Sequence, residues 1–318
     1  MASQKTALVF AGSPSLGDMS PVESVKSLIS LPPELVGETE VIEWSRQPSS
    51  HYTIRVTTDL LELFRSLLGD GYSGIAVASG TDVMEEMAYL VDLLWPYPNP
   101  IVFTGLGSPA RHGSNEGAVN LRQAVVAASS EACWGMGVLI FSRGELFAAS
   151  EACKFYSHRG HDFASPGAGP VGEVVQNRVY VARHPRRARV IDRPVVPAKD
   201  VEVLYASLGG GELTLSHLFR DESLKGLVLG CFGTGNVPPS WTPHIKNLIR
   251  RRVPVVLTSR CQLGRVLSLY DFEGSASRLL DMGAIDGGTL RPLQARLRLA
   301  VAVGAGMDEE EIREYMLS

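Results

Sequence analysis

The chain has 318 residues, 45% of them hydrophobic, enough for a sizeable core in two domains or one large α/β unit. Its formal net charge of −4 argues against a molecule-wide polyanion binder, so nucleic acid is not an expected partner. Four cysteines (Cys133, Cys153, Cys231 and Cys261) lie far apart with no Cys-x-x-Cys pair. That speaks against a zinc knuckle or a redox motif, and it suits reduced thiols in a cytoplasmic protein.

The first residues run directly into Ala7-Leu8-Val9-Phe10-Ala11-Gly12, which reads as a buried strand. No separate apolar core and cleavage site precede it, so a signal peptide is not expected. No apolar run is long enough to span a bilayer, so no membrane partner is expected. Residues 74–79, 101–105 and 137–141 read as further strands, with helical patterns over 58–68, 84–94 and 120–128. Strands alternating with helices predict a doubly wound, mostly parallel sheet. Their continuous apolar character predicts burial on both faces. Periodicity stops at Arg183-His184-Pro185-Arg186-Arg187-Ala188-Arg189 and through Pro197. This run reads as a linker rather than a phosphate-binding patch, because it is short and the chain is acidic. The pattern resumes with strands at 226–230 and 253–257, a helix over 244–251 and an amphipathic helix over 309–316. The expected organisation is an α/β domain over 1–190, a linker over 191–200 and a smaller α/β domain over 201–318.

The chemistry-bearing stretch is Ser79-Gly80-Thr81-Asp82-Val83-Met84-Glu85-Glu86, a strand end, a tight glycine turn and a helix start. Ligands of open α/β sheets bind at the carboxyl ends of strands. A Thr-Asp pair there can hold an amino acid's ammonium and place a hydroxyl near an amide. The structural alternative is a turn residue beside a capping box formed by Asp82 and Glu85.

The stretch resembles the signature of the L-asparaginase/glutaminase family, and the resemblance extends along nearly the whole chain in an ordered series. Phe103-Thr104-Gly105, Asn115-Glu116-Gly117-Ala118-Val119-Asn120-Leu121, Lys154, Phe163 and Gly169-Pro170-Val171-Gly172 are similar to successive segments of its first half. Gly233-Thr234-Gly235-Asn236, Ser259-Arg260-Cys261 and Gly283-Ala284-Ile285 are similar to segments of its second. The resemblance implies an amidohydrolase acting on the side-chain amide of asparagine or a related amino-acid amide through a hydroxyl nucleophile, without a cofactor. It implies Thr81, Asp82 and Lys154 as one catalytic cluster and Ser13 at the position of the other nucleophile. It further implies Ser49, Ser50 and Gly80 at the substrate, Asn236 reaching the substrate of a neighbouring subunit, and hence a homodimer or homotetramer.

The chain also departs from the family pattern. Ser13-Pro14-Ser15 stands where a Thr-Gly-Gly-Thr-Ile motif is usual, and Pro14 lacks an N–H that such a turn could offer an oxyanion. Ser13 and Ser15 also read as ordinary capping serines. No tyrosine precedes Tyr52, so the tyrosine of the family's flexible loop is missing. Tyr52 stands where Ser49-Ser50-His51-Tyr52-Thr53 resembles a Ser-x-x-Met-Thr stretch, and Ser79, Ser108 and Glu116 replace a frequent His, Arg and Asp. These departures leave two other readings: an amidase for a larger or modified amide, and a non-catalytic amino-acid binder. Lys154 taken alone reads as a solvated lysine, Asn236 as a loop cap and Glu273 as a solvated glutamate. His158, His161 and Asp162 have poor spacing for a metal, and no metal site is expected. No dinucleotide loop follows a strand.

Overall fold

The computed structural model describes residues 5–12, 31–36, 38–105, 116–157, 162–218 and 220–318. The chain divides into two compact units, Met1–Asp192 and Arg193–Ser318.

The first unit runs β1 (Thr6–Ala11), α1 (Pro33–Val36), β2 (Thr39–Ser45), α2 (Ile54–Gly69), β3 (Gly74–Ser79), α3 (Met84–Leu93), β4 (Ile101–Gly105) and α4 (Glu116–Ala128). It continues through β5 (Val138–Ser142), β6 (Glu145–Ala148), β7 (Cys153–Lys154), β8 (Phe163–Ala164), β9 (Gly172–Val175) and β10 (Arg178–Val181). Eight strands form one sheet in the order β10-β9-β6-β5-β4-β3-β1-β2. From β2 to β5 all neighbours are parallel, whereas β6, β9 and β10 extend the sheet antiparallel. β7 and β8 form a separate two-stranded ladder.

β1 and β3 are buried along their whole length, as strands covered on both faces must be. On one face Leu8, Phe10, Ala76, Ala78, Val102 and Leu139 pack with Leu121, Ala124 and Val125 of α4. On the other, Phe64 of α2 meets Phe103 of β4 edge to face at 6.3 Å. The helix expected over 58–68 begins four residues earlier, at Ile54, because the Thr53 side chain caps it by accepting from the Val56 N–H at 3.3 Å. β2 escaped the sequence reading because it is a half-exposed edge strand without a buried run.

The arginine-rich run over 183–189 is tied to the first unit by ion pairs. Arg183 pairs with Glu151 and donates to the Gly169 carbonyl at 2.8 Å. Arg187 pairs with Asp92 at 3.0 Å and donates to the Trp95 carbonyl at 2.8 Å. The same Asp92 oxygen accepts from the Val138 N–H at 3.0 Å. Gly137 makes room for this knot: a Cβ there would collide with Arg187 and Asp92.

The second unit holds β11 (Val201–Tyr205), α5 (Glu212–Leu218), β12 (Gly226–Cys231), α6 (Thr242–Arg250), β13 (Val255–Ser259), α7 (Ala276–Asp281), β14 (Ile285–Asp286), α8 (Pro292–Gly304) and α9 (Glu309–Leu317). Its four strands are parallel in the order β11-β12-β13-β14. Leu227, Leu229 and Leu257 pack with Trp241, Ile245 and Leu248. α8 was not legible as an amphipathic pattern because even Arg298 is buried within it. That guanidinium donates to the carbonyls of Tyr315, Met316 and Ser318 at 3.0, 3.2 and 3.1 Å, satisfying acceptors at the C-terminal end of α9. Among the described residues no helix is long and apolar enough to cross a membrane.

Truncating Asp92 to Ala leaves the Arg187 charge and the Val138 N–H without their partner. We expect a loss of about 3–5 kcal/mol, measured by urea denaturation. Replacing both partners with apolar residues, Asp92→Leu with Arg187→Met, should recover part of it.

Candidate active site

The strand order reverses between β1 and β3. After β1 the chain leaves towards β2 on one side, and after β3 towards β4 on the other. Such a point opens a crevice at the carboxyl ends of the strands. The registers bring those ends level, with Ala11 opposite Ser79 and Ser79 opposite Gly105.

Three glycines line these ends. A Cβ on Gly80 would come 2.5 Å from Ser49 Oγ, and one on Gly105 would come 2.7 Å from the Thr81 methyl carbon. Gly12 has φ +84°, and a Cβ there would collide with the Gln47 carbonyl and lie 2.9 Å from the Tyr52 hydroxyl. The absent side chains let the Ser49 segment and Thr81 pack directly on the backbone. Ser49 is buried, and its Oγ accepts from the Asp82 N–H at 3.3 Å, joining that segment to the β3 turn. Ser50 is exposed beside it.

Lys154 meets this turn from β7. Its Nζ donates to Thr81 Oγ1 at 2.9 Å and lies 3.5 Å from Asp82 Oδ1. Its backbone N–H donates to Glu85 Oε2 at 2.6 Å. The lysine side chain is only 21% exposed, so it is not the solvated lysine its sequence position alone suggests. The capping box is absent: α3 has Val83 as its N-cap, with no side-chain capping bond. Asp82 and Glu85 both turn to Lys154 instead. An amine facing a hydroxyl oxygen, with a carboxylate beside it, can move a proton to or from that hydroxyl while it attacks or is released.

Thus Thr81, Asp82, Lys154, Gly80 and Ser49 come together in the first unit. Ser13 lies outside the described residues, as do Ser15, Ser108, His158 and His161. Asn236 belongs to the second unit, where its Oδ1 accepts from the Ala276 N–H at 3.1 Å at the start of α7. Among the described residues no group of three His, Cys, Asp or Glu side chains could hold a metal ion. Burial pushes the Cys133 and Cys231 thiols up to about 12, which leaves them protonated at neutral pH.

Sequence reasoning missed two neighbours of the site. One is Glu85, read only as a helix-start residue. The other is Tyr52, whose ring stands edge to face with Trp44 at 5.9 Å and whose buried hydroxyl meets the described end of β1 at Gly12. Burial raises the pKa of this phenol, and the Ser45 side chain offsets part of the shift. A tyrosine where the resembling stretch has methionine was the available signal for it.

Comparison with known proteins agrees with this architecture. Residues 8–187 match the family model for the asparaginase N-terminal domain, and residues 200–316 match the glutaminase/asparaginase C-terminal domain. A probable L-asparaginase of Deinococcus radiodurans is 34% identical over 272 residues, covering 84% of this chain and 81% of the relative. An L-asparaginase of Bacillus licheniformis is 29% identical over 281 residues, covering 87% and 85%. The crystal structure of a probable cytoplasmic L-asparaginase from Campylobacter jejuni shares the fold with a TM-score of 0.87, at 24% identity and 99% coverage of both chains. The chain belongs to the asparaginase family, a family of amidohydrolases.

Gly105→Ala should displace Thr81 without unfolding the sheet. The expected result is a thermal midpoint close to wild type and a kcat for amide hydrolysis lower by about 10²-fold, the cost of an ångström-scale misplacement.

Proposed function

We propose that the protein hydrolyses the side-chain carboxamide of asparagine or a closely related amino-acid amide. The observation that carries this reading is the 2.9 Å bond between Lys154 Nζ and Thr81 Oγ1 beside the Asp82 carboxylate, at the strand-order reversal. In the proposed reaction a hydroxyl oxygen attacks the carboxamide carbon. The C–N bond breaks, nitrogen leaves as ammonia after gaining a proton, and water then hydrolyses the acyl ester. Ser13 is the candidate for the first attack. Thr81, with Lys154 as its proton partner and Asp82 holding the amine, is the candidate for the other hydroxyl. Ser49, Ser50 and Gly80 are assigned to the substrate's carboxylate and ammonium groups. We assign Asn236 to a neighbouring subunit's substrate on the family resemblance alone, and with it a homo-oligomer in the cytoplasm.

One observation favours a substrate larger than free asparagine. Phe155 and Tyr156, directly after Lys154, are an exposed edge-to-face aromatic pair at 5.0 Å. Exposed aromatics next to a reacting centre offer stacking area that a four-carbon amino acid would not use.

Ammonia release by the purified protein against a panel of amides tests the reading. Thr81→Ala and Lys154→Met should each lower turnover by about 10²–10⁴-fold, as loss of a positioned proton-transfer group does. Wild-type turnover in both variants would remove the site assignment. Free L-asparagine should turn over below the usual enzyme range of roughly 1–10³ per second. The grounds are the Ser13-Pro14 replacement and the tyrosine missing before Tyr52. Light scattering across a dilution series checks the oligomer: a monomer that keeps full ligand affinity takes Asn236 out of the site.

A further inference from the structure

We propose that Glu85 is a positioning residue that sets where Lys154 Nζ meets Thr81 Oγ1, by gripping the lysine through its backbone N–H. The proposal takes from the hydrolase reading only the premise that the Lys154–Thr81 contact is the working one.

Lys154 stands on β7, a strand of two residues paired with another of two residues. So short a ladder is a weak platform for a long, flexible side chain that must hold its amine within hydrogen-bond distance of one oxygen. Glu85 supplies the missing anchor. Its Oε2 accepts from the Lys154 N–H at 2.6 Å, a short charge-assisted bond. Glu85 lies in the first turn of α3, four residues after Thr81 and three after Asp82. A single five-residue stretch therefore holds the lysine at both ends, the backbone by Glu85 and the amine by Thr81 and Asp82. That fixes the base of the side chain and its tip in one frame.

The test uses the full chain with Glu85→Ala, Glu85→Asp and Glu85→Gln. Asp keeps the charge but is one methylene too short to reach, and it serves if the Ala variant fails to fold. Gln keeps an acceptor oxygen at the same reach. Two readouts are taken. One is the rate at which acetic anhydride labels Lys154, followed by peptide mass spectrometry, which needs no substrate. The other is the separation of kcat from KM on the best amide found. Expected are several-fold faster labelling of Lys154 in the Ala and Asp variants, with a kcat about 10²-fold lower and KM little changed. The Gln variant should stay near wild type in both. Labelling unchanged in a folded Asp or Ala variant, or a Gln variant as damaged as the Asp variant, overturns the proposal. A merely structural glutamate would lower the melting temperature without that ordering by reach. If the labelling pattern holds and no amide is hydrolysed even by wild type, Glu85 keeps its role and the hydrolase reading falls.

Discussion

The reversal of strand order between β1 and β3 is the constraint on which the rest of the first unit depends. Two buried parallel strands end level with one another, and their chains leave in opposite directions. Segments from elsewhere in the chain meet the β3 turn there: the Ser49 turn from before α2, and Lys154 from the ladder beyond β6. Gly80 and Gly105 matter for the same reason. Each stands where a neighbouring side chain touches a strand end, and a single Cβ would push Ser49 or Thr81 away.

The energetics of the Asp92 and Asp82 pairs point in different directions. Asp92 is buried, and its carboxylate is matched by Arg187 and by a backbone N–H. Breaking such a pair is costly because it leaves a charge without solvent or partner. Asp82 is 62% exposed, and its 3.5 Å pairing with Lys154 is of the kind worth little to stability, about 0–1 kcal/mol. Stability therefore does not explain why a helix start forgoes its cap so that two of its acidic residues can hold one lysine. A requirement for geometry does, since a hydroxyl and an amine must meet within tenths of an ångström to exchange a proton.

Tyr52 belongs to the same account. Its hydroxyl lies against Gly12, at the end of β1 and so at the reversal point. The ring packs on Trp44 and occupies the space a side chain at Gly12 would need. The end of β1 at Gly12 is thus packed by an aromatic residue in this chain, in a place where the resembling stretch carries methionine.

What the sequence alone determined were features carried by local chemistry. The unbroken apolar runs of β1, β3 and β4 marked buried strands, and the glycine turn with Thr81 and Asp82 marked a ligand-binding strand end. The ordered series of motifs, Lys154 among them, pointed to the family and to one polar cluster. Features that depend on long-range pairing were decided only by the tertiary structure. β2 and β10 hold no fully buried residue, β6 and β9 are only four residues long, and the place of all four follows from the neighbours they pair with in the sheet. The arginines at 183 and 187 looked like linker because nothing local shows that Glu151 and Asp92 await them. Glu85 looked like a helix cap for the same reason: its partner lies 69 residues away, on a strand of two residues, and only the fold brings that backbone N–H within reach of its carboxylate.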